Sequence, residues 1–292
     1  MTTGSLAKSA RDDQPKRKLF YGLFVFPLLI AVGMAVLLCT VVLLTREAET
    51  PESLITAIKT GSPSKRWQKA FELSNELNRA SDGTRDSAVL DGISQILLDN
   101  AHYDTKTRAY MALALSHFHE PAAVESLRGA LKDPDEDVRL YALWSLGALH
   151  AREAVADILP YVENHSPELR KTAAYVLGTI QEASSREALK TLLSDPVPDV
   201  RWNAALALAR LKDASGLEIL TKMLQRDELS AEYKMNEAQI EAVMTNAVKG
   251  LALIHRPEAF RILESVSKDD KNMRVRQAAL NALRFQTGNT NS

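Results

Sequence analysis

The sequence predicts an all-α protein, a right-handed α-solenoid of about six helical hairpins preceded by one transmembrane helix. Three observations carry this reading. Leu19 to Leu44 is a run of 26 residues without a charge, 17 of them Leu, Ile, Val or Phe. Arginine recurs at positions 108, 139, 170 and 201, in three equal steps. The composition is 46% apolar with only 12 glycines and 11 prolines in 292 residues, which favours helices over a sandwich, collagen or disorder.

The apolar run comes first. At ~1.5 Å per helical residue it reaches about 39 Å, enough to cross a ~30 Å hydrocarbon core with some tilt. A cleaved signal peptide has a shorter apolar region followed by small residues, and neither feature is present. Pro27 is expected to bend the helix rather than break it. Lys8, Arg11, Lys16, Arg17 and Lys18 precede the run, whereas Glu47, Glu49 and Glu52 follow Arg46. The positive-inside bias therefore predicts a cytoplasmic amino terminus and a carboxyl region across the membrane, with a bacterial inner membrane as the expected location. The alternative topology places the solenoid in the cytoplasm. The single cysteine, Cys39, excludes an internal disulfide framework and a multi-cysteine metal site.

The repeat follows. Seven positions after each arginine stands a leucine: Leu115, Leu146, Leu177 and Leu208. The frame returns as Val243, Ala247 and Leu251, with Met244 in place of arginine, and again as Val275, Arg276, Ala279 and Leu283. Each unit reads as two short helices: Val200 to Leu211 has helical apolar spacing, Lys212 to Ser215 is a turn, and Leu217 to Leu224 is a second apolar face. An earlier unit begins near Arg66. Two steps are longer than the rest, from Arg66 to Arg108 and from Arg201 to Met244. Loops or lengthened second helices are expected to take up the excess around 80–86 and 225–239. The predicted organisation is a basic cytoplasmic tail at 1–18, a transmembrane helix at 19–44, a juxtamembrane linker and first helix at 45–61, the solenoid at 62–286 and a disordered tail at 287–292.

The motifs that carry a resemblance are Asp-Pro-Asp-Glu-Asp-Val-Arg at 133 to 139, Ala142, Leu146-Gly147, Val200-Arg201, Ala204-Ala205 and Leu208. In these the chain resembles the HEAT-repeat family, in the short form typified by phycobilin lyases, over roughly Ser62 to Phe285. The resemblance implies a stacked-hairpin fold and an arginine ladder that pairs with acidic residues or with carbonyls of an adjacent unit. Asp137 and Asp199, two positions before Arg139 and Arg201, are the expected partners. It implies little about activity.

Sites of chemistry are sparse. The di-iron site of the HEAT-repeat deoxyhypusine hydroxylases resembles His-Glu pairs directly after the Val-Arg motif, where this chain reads Leu140-Tyr141, Lys171-Thr172, Trp202-Asn203 and Gln277-Ala278. His119, His150 and His255 share the turn position that follows the frame residues Arg108, Arg139 and Met244. With His117 they allow a surface metal site, although no acidic or cysteine partner completes it. Asp133, Asp135 and Asp137 mimic the start of a calcium loop, but Val138 and Trp144 stand where glycine and glutamate are required. They read as a helix amino-end cluster. No Walker, Gly-x-Gly-x-x-Gly, His-Glu-x-x-His or Gly-x-Ser-x-Gly motif is present.

The expected function is therefore that of a membrane-anchored scaffold or adaptor that binds a membrane-associated protein, with no catalytic residue, cofactor or metal assigned. The rival is an enzyme or cofactor-handling protein using the concave face, phycobilin-lyase-like or metal-dependent. A formal charge of −1, from 36 basic and 37 acidic residues, argues against nucleic acid as a partner. The stacked second helices are expected to form that concave face and to present Glu125, Arg128, Lys132, Asp157, Glu163, Lys190, Glu218 and Lys222. Tyr233 in the second insertion and Trp202, expected to be the most exposed aromatic, complete the candidate contacts. Tyr110 with Tyr141, and Trp144 with Tyr175, share repeat positions and are expected to align as rows.

Overall fold

The structure, a computed structural model, describes residues 21–45, 50–79 and 87–288. The expected basic tail at 1–18 and the first insertion at 80–86 lie outside the described residues. The chain divides into two compact units, Met1–Thr50 and Pro51–Ser292.

In the first unit a π-helical turn, Tyr21–Val25, leads into helix α1, Phe26–Thr45. Pro27 is the second residue of α1, directly after the π-helical turn, and the helix continues through it. The stretch Leu23–Val41 is long and apolar enough to cross a membrane, with a mean hydropathy of 2.6.

The second unit is an α-solenoid, and no strand occurs among the described residues. Helix α2 (Pro51–Thr60) opens it, so the expected linker helix is the first layer of the solenoid. Six hairpins follow. They pair α3 (Pro63–Arg79) with α4 (Ser87–Leu98), and α5 (Thr105–Leu115) with α6 (Pro121–Ala130). Next, α7 (Glu136–Ala148) pairs with a segment centred on α8 (Val155–Ile158), and α9 (Pro167–Ile180) with α10 (Arg186–Thr191). Then α11 (Pro198–Arg210) pairs with α12 (Leu217–Lys222), and α14 (Glu237–Leu253) with α15 (Pro257–Asp269). The second insertion forms a separate short helix, α13 (Arg226–Ala231), rather than lengthening α12. Helix α16 (Met273–Gly288) closes the row and continues beyond the expected solenoid end at 286.

The repeat frame becomes helix because its apolar residues fall at i, i+4 and i+8. Val138, Ala142 and Leu146 in α7, and Val200, Ala204 and Leu208 in α11, are fully buried. Each such Val or Leu contributes roughly 1.5–3 kcal/mol by burial. Starts are set by proline at the first turn of α6, α9, α11 and α15, where no N–H is needed. Asp104 accepts from Thr107 N ahead of α5, and Asn236 with Gln239 makes a capping box ahead of α14.

Turns between paired helices repeat as well. His150, Gln181 and Lys212 hold left-handed φ angles of 50°, 59° and 60° at one repeat position. The reversal, not the side chain, is the constraint there.

Helix α11 joins the two halves of the core. Val200, Ala204, Ala207, Leu208 and Leu211 pack toward the earlier hairpins, whereas Trp202, Ala205 and Ala209 pack with α14 and the later ones. Small residues suit a helix that is covered on nearly every side. Its approach to α9 is close: a Cβ on Gly178 would stand 2.5 Å from Ala207 Cβ. We expect Gly178→Val to destabilise the protein by about 2–3 kcal/mol through overpacking. Gly33→Ala in α1, with nothing within 4 Å of the added carbon, leaves the melting midpoint unchanged in circular-dichroism melts of the detergent-solubilised chain.

Candidate partner-binding surface

The arginine row is the structural ladder. Each guanidinium turns back onto carbonyls of the loop before its own helix. Arg139 Nη1 donates to Asp133 O and Pro134 O at 2.6 and 2.8 Å, Arg170 Nη1 to Asn164 O at 2.8 Å, Arg201 Nη1 to Asp195 O at 2.7 Å and Arg276 Nη1 to Asp270 O at 2.6 Å. Two also reach the next unit. Arg108 pairs with Asp133 and Asp135, and Arg170 makes a bidentate bridge to Asp195 at 2.7 and 3.0 Å. The acidic partners are thus Asp133, Asp135 and Asp195, not Asp137 and Asp199. The latter sit in the first turns of α7 and α11, where a carboxylate meets the positive end of the helix dipole.

The unit that carries Met244 keeps a guanidinium from another source. Arg226, from the inserted α13, is 9% exposed and pairs with Asp270 at 3.0 Å and Glu237 at 2.7 Å. It holds the loop aspartate of the following unit as Arg170 holds Asp195. Met244 is itself buried in the core.

The charged residues expected on the second helices are present there, but largely neutralise one another. Arg128 links Glu125 at 2.8 Å and Asp157 at 2.5 Å, joining two successive units. Lys190 stands 2.9 Å from Glu187 and 3.6 Å from Asp213, and Lys222 2.8 Å from Glu218. Asp157 and Lys190 are half-buried, whereas Lys132 and Glu163 are exposed. The carboxylates of Glu125 and Asp157, with the Asp157 hydrogen bond the largest cause, raise the Arg128 pKa above its ordinary value. An open groove of about 500 Å³ lies in this row between α12 and α15, floored by Leu224, Ile262 and Val266 and edged by Glu258 and Arg261.

Trp202 corrects an expectation: it is 9% exposed and belongs to the core. Tyr233, half-buried in the turn after α13, meets it edge to face at 5.4 Å and covers it. With Lys222, Arg201 and Glu228 the two line a polar recess of about 200 Å³. The structure therefore brings Trp202, Tyr233 and Lys222 together, away from Glu125, Arg128 and Asp157.

The aromatic rows form on the first helices. Phe71, Tyr110 and Tyr141 follow one another edge to face, at 5.4 and 6.3 Å. Trp144 lies 4.7 Å from Tyr175, whose other neighbour is the Arg210 guanidinium, 5.1 Å from the ring centre. Trp144 is 42% exposed, so the open tryptophan of this row is Trp144 and not Trp202. Sequence reasoning passed over Arg210. Its signal was an arginine where the equivalent positions hold His117, Ala148 and Thr179.

The histidines at the turns do not converge. His119 and His255 are exposed, and His150 Nδ1 lies 3.1 Å from Thr179 O. Among the described residues no three His, Cys, Asp or Glu side chains are grouped so that they could hold a metal ion.

Comparison with known proteins agrees with this architecture. The HEAT-repeat family model matches residues 90–165 and 155–232, so the middle of the chain is built of HEAT repeats. No curated protein matches the chain in sequence. Among solved structures, the complex of CpcE and CpcF of phycocyanin lyase from Nostoc sp. PCC7120 is similar with 19% identity and a TM-score of 0.54, covering 83% of this chain and 96% of that one. The Escherichia coli protein YibA is similar with 14% identity and a TM-score of 0.51, covering 80% and 92%. The archaeal HEAT-like repeats protein of Thermococcus onnurineus NA1 has 16% identity and a TM-score of 0.45, covering 83% and 99%. At these identities the likeness is one of fold.

Two stability measurements probe the ladder. Burial alone would raise the Asp195 pKa, but the Arg170 hydrogen bond, the Val197 N–H and the charges of Arg170 and Arg201 outweigh it and hold it below the ordinary carboxylate value. A depressed folded pKa stabilises the protein above the unfolded value of about 3.9, and that stability is lost as pH falls through the folded value. Asp195→Asn is thus expected to cost about 2–4 kcal/mol at pH 7, with the difference from the parent shrinking below about pH 4 in denaturant titrations. Arg226→Met is expected to cost a similar ~2–4 kcal/mol, and a loss near zero would remove Arg226 from the ladder.

Proposed function

We propose that the protein is a single-pass membrane adaptor whose HEAT-repeat solenoid binds a membrane-associated protein partner without performing catalysis itself. One observation carries the reading. Leu28, Leu29, Leu37 and Leu38 of α1 are each more than 60% exposed, whereas the apolar frame residues of the solenoid are buried. Water penalises apolar surface by about 25 cal/mol per Å², so a helix apolar on all sides belongs in lipid. The hydroxyl of Thr40 supports this, because its Oγ1 donates to Val36 O at 2.7 Å and needs no water.

The basic residues before the span and the glutamates after it favour a cytoplasmic amino terminus and an extracytoplasmic solenoid, at a bacterial inner membrane. Tethering then supplies affinity by raising the local concentration of a partner in the same bilayer. The likeness to a phycocyanin lyase structure concerns the fold and brings no pigment chemistry to this chain.

Three measurements test the proposal. The full-length protein is expected to stay in membranes washed with alkaline carbonate, and deletion of residues 19–44 to release it. A reporter active only outside the cytoplasm, fused after Ser292, is expected to be active. A photo-crosslinker on the exposed solenoid surface should capture one partner in intact membranes. Extraction by carbonate, or a reporter active only in the cytoplasm, would refute the anchor or its orientation respectively.

A further inference from the structure

The first-helix face holds a cavity beside the Tyr175–Arg210 stack. It has a volume of about 210 Å³ and spans three successive first helices, with Tyr175 from α9, Asn203, Leu206 and Arg210 from α11, and Asn246 and Lys249 from α14. Gly250 lets α14 approach closely, since a Cβ there would stand 3.0 Å from Leu206 Cδ2. Among the described residues no aspartate or glutamate lines it.

Its two cations differ from the ladder arginines that reach a carboxylate and from those spent on loop carbonyls. Arg108, Arg170 and Arg226 are held by carboxylates. Half-buried Arg210 stacks on the Tyr175 ring, at 5.1 Å, and donates to Thr179 Oγ1, at 3.5 Å. Among the described residues it forms no ion pair, and neither does exposed Lys249. Stacking on Tyr175 fixes the guanidinium plane while leaving most of its N–H donors unspent. A planar fork held in this way, beside an ammonium and two carboxamides, is suited to a carboxylate. Trp144 extends the same stack outward by one unit, offering apolar surface next to the cationic recess.

We propose that this cavity seats a carboxylate of an acidic peptide segment of the protein partner, with an adjacent apolar side chain of that segment lying on Trp144. The inference rests on the adaptor reading and gives it a binding face and a partner chemistry. Charge complementarity selects the occupant. The second-helix row is already neutralised by its own pairs, so a charged partner would have to break them, whereas Arg210 and Lys249 gain a counterion without losing one.

The test uses the full-length protein in detergent micelles and a labelled peptide of alternating aspartate and phenylalanine, compared with its asparagine twin by fluorescence anisotropy. The aspartate peptide is expected to bind at least about ten-fold more tightly. Arg210→Gln is expected to reduce that preference by about five-fold or more. Lys249→Glu, at an exposed position, should reverse it, and Lys268→Gln, exposed on α15 in the other row, should leave it unchanged. Equal affinity for the two peptides, binding of neither, or a preference that survives both cavity variants would overturn the proposal. The anchor and its crosslinked partner would still stand after such a result. Conversely, a chain that washes off membranes yet prefers the aspartate peptide would refute the adaptor reading and leave the cavity assigned.

Discussion

The solenoid depends on apolar surface shared between consecutive first helices. No hairpin here can cover its own frame residues: Val138, Ala142 and Leu146 on α7 need α5 and α9 on either side, and the same holds at every step. Stability is therefore a property of neighbours. The arginine ladder fixes how those neighbours meet, because a guanidinium that binds two loop carbonyls sets the loop, and the loop sets where the next helix begins. Buried ion pairs such as Arg170 with Asp195 add little net energy over an apolar pair, but they penalise any other stacking offset.

The insertion between α12 and α14 shows how much of this register is physical demand rather than sequence habit. Met244 removes the guanidinium from its usual place, and the chain returns one through Arg226, from the inserted helix that precedes it. The same segment supplies Tyr233, which covers Trp202, and Leu224 and Gln225 at its start line the groove. One inserted segment thus mends the ladder and closes over Trp202.

The two long faces of the solenoid have different chemistry. Along the second helices, opposite charges face each other across successive units and leave little net field. Along the first helices, aromatic rings stack from unit to unit, and the Trp144–Tyr175 stack ends at Arg210, which forms no ion pair among the described residues. A repeat protein displays each position in a row, so a substitution that recurs makes a stripe and one that occurs once makes a site. Tyr110 and Tyr141 belong to the first kind, Arg210 to the second.

The sequence by itself determined the helical class, the regular period of the central units, the number of hairpins and the apolar run, because these depend on spacing and composition along the chain. It also located the turn positions, where His150 takes up the left-handed backbone. Which side chains face solvent was decided only by the tertiary structure. Trp202 looked exposed beside Arg201 until Tyr233, from the insertion beyond the next helix, closed over it. Asp137 looked like the ladder partner until the loop brought Asp133 to Arg108 instead. Burial and pairing are set by neighbouring units, and a neighbour in space is not readable from a neighbour in sequence.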